Sequence, residues 1–375
     1  MIKNLGVAML NCIHNWSSYI TNFKITPKPV AMHLEITYRC NLKCIFCDRW
    51  KVGPKLHAKE LRWSELKKLL LQAKRLNTKF LAFSGGEPLL RKETISLANL
   101  AKKLGLLTLL NTNGTLIDEN NVKTITKSFD QIIISIDSIN PHLHDYFRGV
   151  KGIFDKALKA VKLLAKNSKR KSQVAVQTVF SNKNYQEFLD MQEFFKRLGV
   201  PLFAQPIHNI SSSLYIADNG FKINNKEYIE IKKIVNIFLS NSTFCDPYVN
   251  IAYKTIYKRY FKKFPEFLKN PNNLNNHFIC FAGSFSFLID PIGNVYPCDG
   301  LRISQGNIRQ KPLAKIWREM TNLRRKISSI ERPCSCWLLC IIPFSMILSI
   351  PFIPFLYIKR RKTNKNKLET LQIQK

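Results

Sequence analysis

Acidic residues are the scarcest charged class in this chain. Of 375 residues, 25 are Asp or Glu against 59 Lys or Arg, a formal net charge of +34. A field of that sign attracts polyanions, either nucleic acid or an anionic membrane surface. The cations are spread over the whole length and come with many Asn and Ile, so charge alone selects no partner. A secretory leader is also missing from the pattern: the apolar stretch from Gly6 to Ile13 is short, and Asn11, His14 and Asn15 interrupt it. The ten cysteines are therefore expected as thiols in a reducing cytoplasm, not as disulfides. Disorder is excluded by 45% hydrophobic and 11% aromatic content, and the length allows one large domain or two ordinary ones.

A fourth cysteine is missing where three stand together. From His33 an alternating apolar run reads as a strand, and Cys40, Cys44 and Cys47 follow within eight residues. The next thiols are distant, at Cys12 and Cys245. A complete Cys₄ set would suit electron transfer or a structural metal. Three thiolates on one loop can instead grip three corners of a cuboidal iron–sulfur cluster and leave one iron open to a ligand. A partial zinc knuckle is the other reading, and it needs a C-x-x-C or His partner nearby. The spacing C-x-x-x-C-x-x-C, with Phe46 before the last cysteine, resembles the radical S-adenosylmethionine (SAM) family. That resemblance implies a [4Fe–4S] cluster on Cys40, Cys44 and Cys47 whose open iron chelates the methionine end of SAM. It also implies an external electron donor and reductive cleavage to a 5′-deoxyadenosyl radical.

Residues 5–23 read as a helix under the core, ended by Pro27 and Pro29. Strands are expected at 31–38, 79–84, 106–112, 130–136, 173–180 and 201–207. Helical faces lie between them: Leu66, Leu69, Leu70, Ala73 and Leu76; Leu97, Leu100, Ala101 and Leu104; Ile153, Ala157, Val161 and Leu164. This βα alternation is α/β with a parallel sheet, and a doubly wound sheet and a partial (β/α)₆ barrel both fit it. In either, chemistry belongs at the C-terminal ends of the strands, where the cysteine loop stands. The family resemblance selects the partial, TIM-like barrel.

The second strand runs into Gly85-Gly86-Glu87-Pro88. Two glycines let backbone approach a ligand closely, and Glu87 can accept hydrogen bonds from an ammonium group. The stretch is similar to the family's GGEP motif, which implies that it holds the methionine amino group. The resemblance further implies that Asn113, Ser135 and Arg148 lie near SAM, the last two towards its carboxylate. As turn chemistry, Asn-Gly and Ser-x-Asp are also ordinary. Gln177 and Gln205 are expected to point into the same mouth, and His142 and His144 to be surface residues of a loop.

Helical periodicity returns at Tyr228–Leu239 and Tyr253–Phe264, an isolated Cys245 reads as a buried thiol, and Asn270–Asn273 marks a linker. Past it, 284–297 reads as a β-hairpin with Cys280 and Cys298 just outside it, then a helix carrying Leu313, Ile316 and Trp317, then Cys334, Cys336 and Cys340. Five cysteines within about sixty residues indicate a second metal site. The pattern resembles the SPASM or twitch extension of radical SAM enzymes, which holds auxiliary [4Fe–4S] clusters. The full SPASM pattern needs seven cysteines for two clusters. Five permit one, expected on Cys280, Cys298 and Cys340 with Cys334 or Cys336, and zinc is the alternative.

Residues Trp337 to Ile358 carry no charge and precede Lys359-Arg360-Arg361-Lys362. Pro343, Pro351 and Pro354 weigh against a transmembrane helix, so 341–362 is expected at the inner face of a membrane, with a flap over the protein's own core as the rival. The expected units are 1–29, the catalytic core 30–240, a connection 241–275, the iron–sulfur domain 276–340 and the tail 341–375. The resemblance implies hydrogen abstraction from a peptide or protein substrate. A membrane lipid, RNA, or a non-catalytic metal-binding role are the rivals.

Overall fold

The computed structural model describes residues 2–168, 173–209, 214–216, 219–240, 251–271, 278–329 and 334–350. The helix α1 (Ile2–Ile20) leads into β1 (Ala31–Thr37), and β2 (Phe80–Gly85), β3 (Leu107–Thr112), β4 (Gln131–Ser135), β5 (Val174–Phe180) and β6 (Leu202–Pro206) follow. All six pair in parallel, each with its sequence neighbour. The connecting helices are α2 (Arg49–Leu56), α3 (Trp63–Arg75), α4 (Glu93–Lys103), α5 (Val122–Ser128), α6 (Pro141–Arg148), α7 (Ile153–Asn167) and α8 (Phe188–Arg197). Each expected strand is present, because each was an apolar run bounded by turn residues. Met32, Leu34 and Ile36 are buried among the core residues of the helices, such as Leu66, Leu69 and Leu97. Alternation puts His33, Glu35 and Thr37 on the opposite face, at whose strand ends Ser135 and Gln177 stand side by side.

The C-terminal hairpin does not sit apart. Its first strand β7 (Ser286–Ile289) pairs in parallel with β1, from Ala31↔Ser286 to Leu34↔Ile289, and β8 (Val295–Tyr296) returns antiparallel. The result is one open, mostly parallel sheet of eight strands in the order β6-β5-β4-β3-β2-β1-β7-β8. Pairing on β1 carries the C-terminal thiols to the strand that launches the first cysteine loop. Around this sheet run α9 (Asn225–Ser240), α10 (Ile251–Lys262), α11 (Phe264–Lys269), α12 (Leu313–Glu319), α13 (Thr321–Ser328) and α14 (Ile342–Leu348).

Two expectations change. The apolar run after Trp337 serves the protein's own core as far as it is described. Trp337 stacks on Tyr260 and Phe267, and Ile342, Met346 and Leu348 are buried. The hydroxyls of Ser345 and Ser349 accept from the backbone N–H of Phe281 and Ile279 at 3.1 and 2.8 Å. The flap reading therefore holds for residues 337–349, while Lys359–Lys362 and Cys245 lie outside the described residues. Among the described residues, no helix is long and apolar enough to cross a membrane. Second, α1 packs partly through polar side chains: buried Asn11 and Asn15 donate to the carbonyls of Pro29 and Lys28, while Leu10, Ile13 and Ile20 face outward.

Candidate radical SAM site

The cysteine loop is clamped from two sides. On one, the N–H groups of Lys43 and Ile45 donate to the carbonyls of Arg148 and Phe147 at the end of α6, each at 3.1 Å. On the other, Asp48 N–H donates to Leu214 O and Ile216 N–H to Phe46 O. Cys40, Cys44 and Cys47 are all half-buried. Burial pushes the Cys40 thiol up to about 12, opposed by the Leu42 N–H and reinforced by Cys44 and Glu87. Burial also raises Cys44 to about 11, with the Arg148 guanidinium pulling the other way. Such thiols resist losing their protons until a metal takes the charge.

Gly85 and Gly86 have a more immediate task than approach to a ligand. A Cβ on Gly86 would lie 2.1 Å from Arg39 O, and one on Gly85, where φ is +123°, 2.3 Å from Thr37 O. The two turns meet backbone to backbone, with Gly86 N–H on Thr37 O and Glu87 N–H on Arg39 O, both 2.8 Å. The glycines thus fuse the GGEP turn to the cysteine loop. Glu87 is buried, and its carboxylate accepts from Leu89 N–H, Thr112 Oγ1 and Asn113 N–H at 3.1, 2.8 and 2.8 Å. Burial raises its pKa against the pull of those donors. It ties the turn to the end of β3. Asn113 in turn donates through Nδ2 to Asn41 Oδ1, 2.9 Å away on the cysteine loop.

Arg148, at the end of α6, lies with its guanidinium carbon 5.7 Å from the centre of the Phe46 ring. Its Nε is 2.8 Å from Asp137 Oδ2 and its Nη1 3.9 Å from Cys44 Sγ. Burial opposes the charges of both Arg148 and Asp137; their pairing compensates most, helped by Val179 N–H at Asp137 and by Cys44 at Arg148. Phe46 itself is buried with Phe147, Ile207 and Phe221. His142 is exposed as expected, but both histidines sit on α6, not in a loop. His144 is buried against Phe154, and its Nδ1 accepts from Asp137 N–H at 3.2 Å. Burial lowers it to about 3, so it stays neutral.

The five C-terminal thiols converge. Burial raises Cys298 well above its usual range, and the charges of Cys334, Cys336, Cys280 and Cys340 add to this in that order. Burial likewise raises Cys340, with Asp299, Cys336 and Cys280 adding to it. Among the described residues no three His, Cys, Asp or Glu side chains close on a single metal ion. An all-sulfur donor set of neighbouring thiols fits a cluster. Gln205 does not point into the mouth: its Oε1 accepts from Leu339 N–H at 3.0 Å. His208 Nε2 accepts from Trp337 N–H at 2.9 Å, so β6 and the residues after it hold the Cys336–Cys340 segment.

Sequence reasoning missed the charges between the two thiol groups. Glu35 of β1, Arg49 of α2, Asp299 and Arg302 form one buried network. Arg49 Nη2 is 2.7 Å from Asp299 Oδ2, and Arg302 Nη2 is 2.7 Å from Asp299 Oδ1 and also reaches Glu35. Burial alone would raise Asp299, but Arg49 and Arg302 outweigh it and hold the carboxyl below its usual range. The one signal in the sequence was a charged residue at the centre of an apolar strand.

A model of the radical SAM superfamily matches residues 34–195, and one of the SPASM iron-sulfur cluster-binding domain matches 280–338. The chain is a radical SAM enzyme. The AdoMet-dependent heme synthase of Methanosarcina barkeri is 28% identical over 82% of this chain and 87% of its own length. The Fe-coproporphyrin III synthase of the same organism is 35% identical over 38% of this chain and 36% of its own. Streptococcus suis SuiB, bound to precursor peptide SuiA, shares the fold with a TM-score of 0.59 and 18% identity, over 80% of this chain and 67% of that one. This radical SAM enzyme therefore uses a [4Fe–4S] cluster, SAM and auxiliary iron–sulfur chemistry, and the non-catalytic reading falls.

Proposed function

We propose that this radical SAM enzyme acts on an iron tetrapyrrole, abstracting hydrogen from one of its unactivated C–H groups. The observation that carries this is the reach of the heme-synthase likeness, which covers most of both proteins. When bound, the cluster and SAM supply the 5′-deoxyadenosyl radical after one electron from an external donor. Cys40, Cys44 and Cys47 would hold that cluster. Gly85, Gly86, Glu87, Asn113, Ser135 and Arg148 would shape the SAM pocket, with Phe46 behind Arg148. The auxiliary cluster would sit on Cys280, Cys298 and Cys340 with Cys334 or Cys336. Glu87 would fix that pocket by joining the turn after β2 to the end of β3.

A peptide substrate is the second reading, favoured by the fold shared with SuiB. At 18% identity that likeness speaks to fold alone, so it stands second. The test is anaerobic incubation of reconstituted enzyme with SAM, dithionite and iron coproporphyrin III. The expected outcome is 5′-deoxyadenosine together with a tetrapyrrole of changed mass. Release of 5′-deoxyadenosine beside an unaltered tetrapyrrole would overturn the substrate assignment while leaving the radical chemistry intact.

A further inference from the structure

Arg49 opens α2, two residues past Cys47, and its three guanidinium nitrogens each have a polar neighbour, with Nη2 shared between Asp299 and Glu35. Nε donates to Glu35 Oε1 at 2.8 Å. Nη2 forks onto Asp299 at 2.8 and 2.7 Å. Nη1, the nitrogen left by both carboxylates, is 3.7 Å from Cys47 Sγ. The Tyr215 ring centre lies 4.9 Å from the guanidinium carbon, and the whole group is buried. Asp299 directly follows Cys298, so one planar group spans from a thiol of the first site to the residue beside a thiol of the second.

We propose that Arg49 is a positioning residue that sets the reduction potential of the first cluster. The proposal rests on the assignment of that cluster to Cys40, Cys44 and Cys47. Reduction adds one electron to the cluster, and an N–H donor and a positive charge at a ligating sulfur favour the more negative state. The carboxylates of Glu35 and Asp299 lock the guanidinium so that Nη1 stays on the sulfur. A lysine cannot reproduce this, because its ammonium is a single point with no planar fork. Arg148 repeats the design on Cys44: a buried carboxylate, Asp137, holds it and an aromatic ring, Phe46, lies beside it. Arg302 offers the control, because among the described residues its hydrogen bonds go to Glu35 and Asp299 and none to a cysteine of the first loop.

The experiment is a redox titration of full-length holoenzyme followed by electron paramagnetic resonance, for wild type, R49M, R49K and R302K. The signal that changes on adding SAM belongs to the first cluster. R49M should make that cluster at least tenfold harder to reduce, a midpoint lower by about 59 mV for one electron. R49K should move it in the same direction by less, and R302K by under about twofold in the equilibrium. A wild-type midpoint in R49M, or in R49K should R49M fail to load iron, overturns the proposal. A shift in R302K as large as in R49M also overturns it, since the effect would then belong to the network and not to the sulfur contact. If wild type gives no SAM-sensitive signal, the cluster assignment itself fails, which is a different result.

Discussion

The two thiol groups use the same ligand in opposite ways. The first takes three cysteines from eight consecutive residues, leaves them half-buried, and sets arginines against two of their sulfurs. The second gathers five thiols from segments sixty residues apart, and the largest influences on Cys298 are burial and the other four. A loop-borne site is assembled locally and can leave a corner open to a ligand. A site closed by distant segments exists only when the chain around it is folded, and here Gln205, His208 and Tyr260 hold the closing segment through the backbone of Leu339 and Trp337. The difference suits a reactive centre on one side and a shielded one on the other.

The largest effect should come from breaking the first site. Replacing Cys40, Cys44 and Cys47 together by Ala should abolish SAM cleavage, with 5′-deoxyadenosine falling by at least about a hundredfold, while the second site keeps its iron. Anaerobic iron analysis should fall from about eight to about four per chain, the content of one [4Fe–4S] cluster. Reductive cleavage surviving in the triple variant would refute the assignment.

A smaller effect separates the five C-terminal thiols. One [4Fe–4S] cluster takes four cysteines, so the proposed assignment uses only one of Cys334 and Cys336 as a ligand. Cys334→Ser and Cys336→Ser, made singly, should differ: one loses about four irons and the other keeps all eight. Equal retention in both would mean that either thiol can serve as the fourth ligand when the other is lost. Stoichiometric zinc would mean that the second site is not a cluster at all.

The parallel strands were legible because buried βα units write themselves as apolar runs, and the cysteine loop because its ligands are local. What stayed hidden depends on contacts between residues far apart in the chain. Arg49 and Asp299 are 250 positions apart, and neither has a neighbour in sequence that announces the pair. Gln205 looks like any polar residue at a strand end until Leu339 arrives to claim its oxygen. The apolar run after Trp337 has membrane-like composition because it covers a large aromatic core, and composition cannot distinguish lipid from Tyr260 and Phe267. The pairing of β7 with β1 was hidden for the same reason.

The smallest expected effect is a pH dependence that again sets one region against the other. Each has a buried neutral histidine: His144 beside Asp137, and His208 beneath the closing segment. His208 faces the Trp337 N–H, the rings of Tyr215 and Phe267, and more distantly Asp299, and burial lowers it to about 3. An unfolded histidine titrates near 6.5, so below that pH the unfolded chain takes up a proton that the folded chain refuses. The stability contribution is complete above about 6.5 and is lost as pH falls towards 3. At pH 5 the loss is about 2 kcal/mol for each such histidine. His208→Gln can keep an acceptor for Trp337 N–H without titrating, so its loss of stability between pH 7 and pH 5, measured by urea unfolding, should be smaller than wild type by about that amount. His144→Gln should behave likewise, unless the nearby Arg148–Asp137 pair shifts with it, in which case SAM affinity changes in that variant and not in His208→Gln. Identical pH slopes in wild type and His208→Gln would show that the imidazole is already charged in the folded protein and that Trp337 N–H has another acceptor.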